Sequence, residues 1–181
     1  PALKWLVWGS LCGLLTEFMA WWGNYLARSP NPALFHPQLI PDLLLGVGFY
    51  LGALLAMLIA ARRWRFTVAQ IAIVFGLYGI FVEQDGAILT AMLALLPANP
   101  GGSIFLGMYV FAVYAAFAGL AYLPVAPAIQ RWTARRSWLQ YTAVIVLLAL
   151  LTRITFFALA LVWDALGLIP APRPIDVAPL F

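Results

Sequence analysis

Five apolar runs, each of 20 residues or more, constrain the fold of this chain more than any other feature. An α-helix needs about 20 apolar residues to cross the roughly 30 Å hydrocarbon core of a bilayer. A transmembrane β-barrel would instead show segments of about ten residues with alternating polarity. Only 9% of the residues are charged, whereas soluble domains carry about 25%. The sequence therefore predicts an all-α, polytopic integral membrane protein, a five-helix transmembrane bundle.

The five helices are expected to form a single transmembrane domain over residues 1–181. Their expected ranges are about 4–27, 42–61, 66–96, 103–123 and 137–168. Prolines interrupt helices, so the proline-rich residues 28–41 are expected to form an outer loop. The tail 169–181 is also proline-rich and is expected to be extended, along the membrane surface or against a partner.

Two periodic patterns refine this picture. Small residues recur at every fourth position of the second helix and predict a face that a neighbouring backbone can approach closely. These residues are Gly48, Gly52, Ala56 and Ala60. Tryptophans near both ends of the first helix have the spacing of an interfacial aromatic belt. They are Trp5, Trp8, Trp21 and Trp22.

Basic residues give the orientation. Lys4 and the arginines at 62, 63, 65, 131, 135 and 136 fall on one side of the predicted bundle, and Arg28 and Arg173 fall on the other. The positive-inside rule then predicts a cytoplasmic N-terminus and an outer C-terminus. The net charge of +4 is carried at helix ends and forms no soluble basic face, so no nucleic-acid partner is expected. The expected location is a bacterial or archaeal inner (cytoplasmic) membrane, with multiple passes.

Polar side chains interrupt the apolar runs. Glu83, Gln84 and Asp85 lie inside the third run, where a charge costs about 2.5–3.5 kcal/mol on insertion scales and indicates a functional or structural polar site. Counting along the helices places Glu17, Glu83 and Arg153 at matched depths, about 20–26 Å from the inner surface. These three residues are therefore predicted to form an ion-pair cluster with Arg153 as its hub.

The cluster carries an excess of acid. Because one arginine cannot neutralise Glu17, Glu83 and Asp85, at least one carboxyl is expected to be protonated, bound to a cation or exposed to water. Helical phase turns Asp85 about 200° away from Glu83 unless Gly86 breaks the helix.

Glu83 is the predicted acid or proton carrier, and Glu17 and Arg153 complete the candidate catalytic set. The candidate ligand-binding residues are Asn24, Tyr78, Asp85, Tyr114 and Asp164.

Metal and redox chemistry find little support in the sequence. Cys12 is the only cysteine and His36 the only histidine, which excludes an intrachain disulfide, a CxxC motif and a bis-histidine haem within this chain. No metal site is predicted, and no cofactor is indicated. Nucleotide-binding glycine motifs and hydrolase motifs are also missing.

Three functions stay open at this point. The polar cluster favours an integral membrane subunit, or a binding or transport component of a larger assembly, that binds a lipophilic or cationic ligand or a proton. Its expected partners are membrane lipids and either other membrane proteins or further copies of the chain. The alternative is an intramembrane isomerase or cyclase that applies acid catalysis to an isoprenoid or other lipid. The sequence offers no complete catalytic set, so it does not decide whether the protein is an enzyme.

Overall fold

The computed structural model describes residues 2–30, 32–129, 137–175 and 179–180. Across these residues the chain is 78% helical and contains no strand. The α-helices are α1 (Ala2–Ala27), α2 (Leu39–Arg63), α3 (Val68–Phe81), α4 (Ala87–Leu95), α5 (Pro100–Tyr122), α6 (Ala126–Ile129) and α7 (Leu139–Ala165). A single 3₁₀ turn, Glu83–Gly86, separates α3 from α4.

Three of the described helices, α2, α5 and α7, are long and apolar enough to cross a membrane. The number rises to four if α3 and α4, which are bent by 53° at their junction, form one broken span. The all-helical prediction is confirmed, and the apolar helices support a membrane protein. The 26-residue helix α1 is not among these candidates, so the five-span bundle and its orientation stay predictions. Arg131, Arg135 and Arg136, which contribute to that orientation, lie outside the described residues.

Helix α2 is the central helix of the molecule. It packs against α1 and against α7, while α5 packs against α1, α3 and α4. In the apolar window of α2, 67% of the residues are buried, compared with 22% for α5 and 17% for α7. Helices α5 and α7 therefore present broad apolar faces outward, where lipid or another protein would cover them.

The small-residue face of α2 brings the backbone of α7 very close. A Cβ atom at Gly48 would lie 2.9 Å from Phe156 Cα, and one at Gly52 would overlap the Leu151 carbonyl. The Thr155 hydroxyl donates to the Gly48 carbonyl oxygen at 2.6 Å. The close-approach prediction is therefore confirmed at these two glycines.

The continuous helix predicted over 66–96 is wrong, because the chain unwinds within its polar triplet. Gln84 (φ 51°), Asp85 (φ 56°) and Gly86 (φ 77°) all adopt left-handed backbone conformations. A right-handed helix cannot continue through such residues, so α3 ends at Phe81 and α4 begins at Ala87. Glu83 and Asp85 consequently project from a turn and not from a helix.

The proline-rich tail packs onto the loop before α2. The Gln38 side-chain amide donates to the Arg173 carbonyl oxygen at 2.7 Å. The backbone N–H groups of Leu39 and Ile40 donate to the carbonyl oxygens of Pro179 (2.9 Å) and Leu180 (3.2 Å). The first N–H groups of a helix lack intrahelical partners, so the tail supplies the acceptors that cap α2.

Candidate functional site

A cavity of about 520 Å³ lies between α1, α2, the 3₁₀ turn, α5 and the loop before α2. Its polar lining residues without an aromatic ring are Thr16, Glu17, Asn24, Ser29, Glu83 and Gln84. Its aromatic lining residues are Phe35, Phe49, Tyr50, Tyr109, Tyr114 and Phe117. Two carboxylates therefore face a space whose walls are otherwise mostly aromatic and aliphatic.

Both carboxylates are buried. Glu17 and Glu83 are each 7% exposed, and they lie close enough for their negative charges to interact. The Tyr50 hydroxyl donates to Glu17 Oε2 at 2.9 Å, and the Gln84 side chain lies within hydrogen-bonding range of Glu83. Among the described residues, none that lines the cavity is Lys, Arg or His. Buried charges need a partner, so a proton or a bound cation would stabilise these two carboxylates.

Small residues on α1 bring Glu17 to its position. Gly13 and Glu17 lie on one face of α1, four residues apart. A Cβ atom at Gly13 would overlap the Tyr50 ring, and one at Gly46 would lie 3.4 Å from Glu17 Cγ. The missing side chain of Gly13 thus lets α1 and α2 approach until the Tyr50 hydroxyl reaches the Glu17 carboxylate. Glu83 reaches the same cavity because the chain unwinds next to it.

The cavity extends to the side of the bundle. Met19 of α1 and Tyr109 of α5 both line it, although these side chains are 60% and 55% exposed. They mark an opening between α1 and α5 on the outer surface of the helices.

The prediction that Arg153 is the hub of a cluster with Glu17 and Glu83 is wrong. Arg153 forms an ion pair with Asp85, and the two side chains are 47% and 87% exposed. Its helix, α7, contributes no residue to the cavity lining. The physical reason is that α1 and α7 pack against different parts of α2, while the unwound turn directs Asp85 outward.

The other predicted site residues divide between the cavity and the rest of the structure. Asn24 and Tyr114 line the cavity, and the Asn24 amide also donates to the Ala20 carbonyl oxygen at 2.9 Å. Tyr78 is buried beside α7, with its hydroxyl 3.0 Å from Thr152 Oγ1. Asp164 is exposed near the end of α7. The residues brought together are thus Glu17, Asn24, Glu83 and Tyr114.

Two polar residues that interact with Glu17, Tyr50 and Asp42, were not predicted as site residues. Asp42 is completely buried, and its Oδ1 accepts a hydrogen bond from the His36 backbone N–H at 2.9 Å. In the sequence, Asp42 is typical of a helix start and Tyr50 of a packing residue. The signal that could have found them is their spacing, since Asp42, Gly46 and Tyr50 recur every fourth residue and share a helix face.

Within the described residues, no group of three or more His, Cys, Asp or Glu side chains is arranged to hold a metal ion. Comparison of the chain with protein-family models, with curated protein sequences and with solved structures gave no match. The function must therefore be inferred from the cavity.

Proposed function

We propose that this chain is a multi-pass membrane protein whose cavity binds a lipophilic cation, such as an amphiphile with an amine or quaternary ammonium group. The observation that carries the proposal is the pair of buried carboxylates, Glu17 and Glu83, in a cavity that none of the described Lys, Arg or His residues lines. A cation would offset one of the two negative charges, and the aromatic faces around it would add cation–π attraction. The volume of about 520 Å³ falls in the range of about 300–1,000 Å³ typical of small-molecule sites.

The side opening between α1 and α5 supports entry of this ligand from the bilayer. A lipophilic cation concentrates in the interfacial region of a membrane, so an opening rimmed by Met19 and Tyr109 would meet it there. The protein would then act as a capture or transport component. This role agrees with the expectation of a polar ligand site in the outer half of the bilayer.

We propose five membrane spans, a cytoplasmic N-terminus and an outer C-terminus, in the inner membrane of a bacterium or archaeon. The support is the distribution of basic residues along the sequence. Helix α1 is the fifth span in this arrangement, and its 26 residues reach about 39 Å at 1.5 Å per residue. The loop before α2, the capping tail and the cavity then lie on the outer side.

We also propose that a second copy of the chain covers the ion pair between Arg153 and Asp85. Both side chains are exposed. Arg153 lies near the middle of α7, where Ile154 (59%) and Phe157 (62%) are exposed as well. Charges that face lipid are costly, and a two-fold axis could pair Arg153 of each copy with Asp85 of the other. The membrane assembly would then be, at least, a homodimer.

The cavity proposal is tested with a lipophilic cation of known structure. Tetraphenylphosphonium binding to the protein in nanodiscs would be measured by isothermal calorimetry. We expect Glu17→Gln and Glu83→Gln each to weaken binding by about tenfold or more, which corresponds to about 1.4 kcal/mol. Asp164→Asn is the matched control, because Asp164 is exposed and does not line the cavity, and it should leave the affinity unchanged.

Tetraphenylborate provides a second control, because it has nearly the same shape and the opposite charge. We expect the protein not to bind it. Equal binding of the two ions, or tetraphenylphosphonium affinities that are the same in all variants, would contradict a cation site at these carboxylates.

A further inference from the structure

The carboxylate of Asp42 has an oxygen atom, Oδ2, for which the contacts described so far provide no hydrogen-bond partner. The residue is completely buried, yet its Oδ2 atom has no hydrogen-bond partner among the described residues. The other oxygen, Oδ1, is already occupied by the His36 backbone N–H. A buried polar atom without a partner is destabilising because the loss of its hydration is not offset, so a hydrogen-bond donor is expected close to Oδ2.

The neighbour of Asp42 is another carboxylate, Glu17 of the cavity wall. The two side chains are in direct electrostatic and hydrogen-bonding range of each other. Glu17 is itself only 7% exposed, and its Oε2 already accepts from Tyr50. Two ionised carboxylates in this position could only repel each other, since neither has a hydrogen to donate. A proton on one of them would turn the contact into a hydrogen bond and satisfy Oδ2.

Other charged or titratable groups around the pair do not supply this hydrogen. Tyr50 donates to Glu17, and Glu83 on the 3₁₀ turn adds a further acid. The ring of His36 is occupied, because Nδ1 accepts from the Gln38 N–H and Nε2 contacts the Pro170 carbonyl oxygen. On α7, which packs against α2, Arg153 pairs with Asp85 and Asp164 is exposed; Arg173 of the tail is exposed as well.

We propose that Asp42 and Glu17 share one proton as a carboxylic acid–carboxylate pair, and that a cation that enters the cavity displaces it. In this exchange the O–H bond of the pair breaks, the proton passes to water, and the bound cation takes over its charge. No oxidant or other reactant is needed. The second half of this proposal rests on the proposed function, whereas the shared proton does not. Asp42 thereby becomes a proton-binding residue of the site, connecting the cavity to the loop before α2.

Infrared spectroscopy tests the shared proton without any ligand. Asp42→Asn keeps an oxygen for the His36 N–H and offers an N–H group to Glu17, so it imitates the protonated pair and should fold. We expect the carboxylic acid C=O stretch of the pair, which shifts in D₂O, to be lost in Asp42→Asn and also in Glu17→Gln. An infrared spectrum of the carboxylic acid region that is identical in the unmodified protein and both variants would overturn the shared proton.

Proton counting tests the displacement. Tetraphenylphosphonium would be titrated into the protein in weakly buffered nanodiscs that contain a pH indicator. We expect the unmodified protein to release about one proton for each cation bound and Asp42→Asn to release none. Binding without proton release in the unmodified protein would overturn the displacement while the proposed function stands. A complete lack of binding would overturn the proposed function and the displacement together, and the infrared result would then decide the shared proton by itself.

Discussion

The Tyr50 hydroxyl donates a hydrogen bond to the Glu17 carboxylate at 2.9 Å. Tyr50 is 6% exposed and Glu17 7% exposed, so water cannot easily replace this bond. A buried acceptor that loses its donor costs more than the bond contributes net, because its desolvation is no longer offset. This single contact therefore affects both the stability of the α1–α2 pair and the charge state of the cavity.

We expect Tyr50→Phe to lower the free energy of unfolding by about 1–3 kcal/mol, because Glu17 loses this buried donor. The measurement is unfolding in mixed micelles with increasing SDS. Tyr141→Phe is the matched control, because its hydroxyl accepts from Gln70 at 2.8 Å in an exposed position and its loss should cost no more than about 0.5 kcal/mol. Equal effects of the two substitutions would contradict a buried hydrogen bond at Glu17.

Prediction of the site residues from the sequence succeeded for Glu17, Asn24, Glu83 and Tyr114, which line the cavity, and failed for Tyr78, Asp85, Arg153 and Asp164, which do not. Glu17 and Asn24 are seven residues apart on α1 and therefore lie on nearly the same helix face. Arg153 was assigned the wrong partners because equal depths along the helices do not show which helices are neighbours, and α7 packs against α2 without reaching the cavity. Neither Gln84 nor Asp85 signals its left-handed conformation strongly, although Gly86 does permit one.

Among the elements, the contact between α2 and α7 depends on the absence of side chains. A Cβ atom at Gly52 would overlap both the Leu151 carbonyl and the Thr155 hydroxyl. Backbone atoms cannot move aside as the end of a flexible side chain can, so an added methyl group must push the two helices apart. The hydrogen bond from the Thr155 hydroxyl to the Gly48 carbonyl oxygen (2.6 Å) would be lost at the same time, which leaves this hydroxyl the Leu151 carbonyl oxygen of its own helix, also at 2.6 Å.

We therefore expect Gly52→Ala to destabilise the protein by about 1–3 kcal/mol through overpacking. Gly23→Ala makes the same chemical change in α1, where a Cβ atom would meet nothing within 4 Å. It should be neutral or stabilising by about 0.5–1 kcal/mol, because alanine restricts the unfolded chain and favours the helix. SDS unfolding of both variants measures the difference, and a Gly52→Ala variant as stable as the unmodified protein would contradict the close packing.

Helices were easier to predict than their surroundings. Long apolar runs indicate helices whatever their neighbours, but they do not reveal which face is buried. The tryptophans of α1 show this. Trp8 and Trp22 are 46% and 43% exposed, as an aromatic belt at a membrane surface requires. Trp5 and Trp21, however, are only 1% and 3% exposed. The indole of Trp5 donates to the Leu54 carbonyl oxygen at 2.9 Å, a tertiary contact that no local pattern encodes.

The proposed dimer of the whole molecule can be tested by exchanging the charges of Asp85 and Arg153. We expect the protein in nanodiscs to have the mass of a dimer, and Asp85→Arg to shift it to a monomer because two arginines would then face each other. The double variant Asp85→Arg, Arg153→Asp restores opposite charges and should restore the dimer. Native mass spectrometry distinguishes the states. A monomeric mass for the unmodified protein would contradict the dimer.

The tail that caps α2 also sets an order of events during synthesis. His36 and Pro170 are joined by a contact across 134 positions of the chain, and Gln38 and Arg173 across 135. The ribosome therefore completes α2 long before the residues that cap its first turn exist. Until they arrive, the uncapped N–H groups of Leu39 and Ile40 must be hydrated or bound by other acceptors. The start of the central helix is thus among the last parts of the protein to mature, and stalled translation would leave the N–H groups of Leu39 and Ile40 without these acceptors.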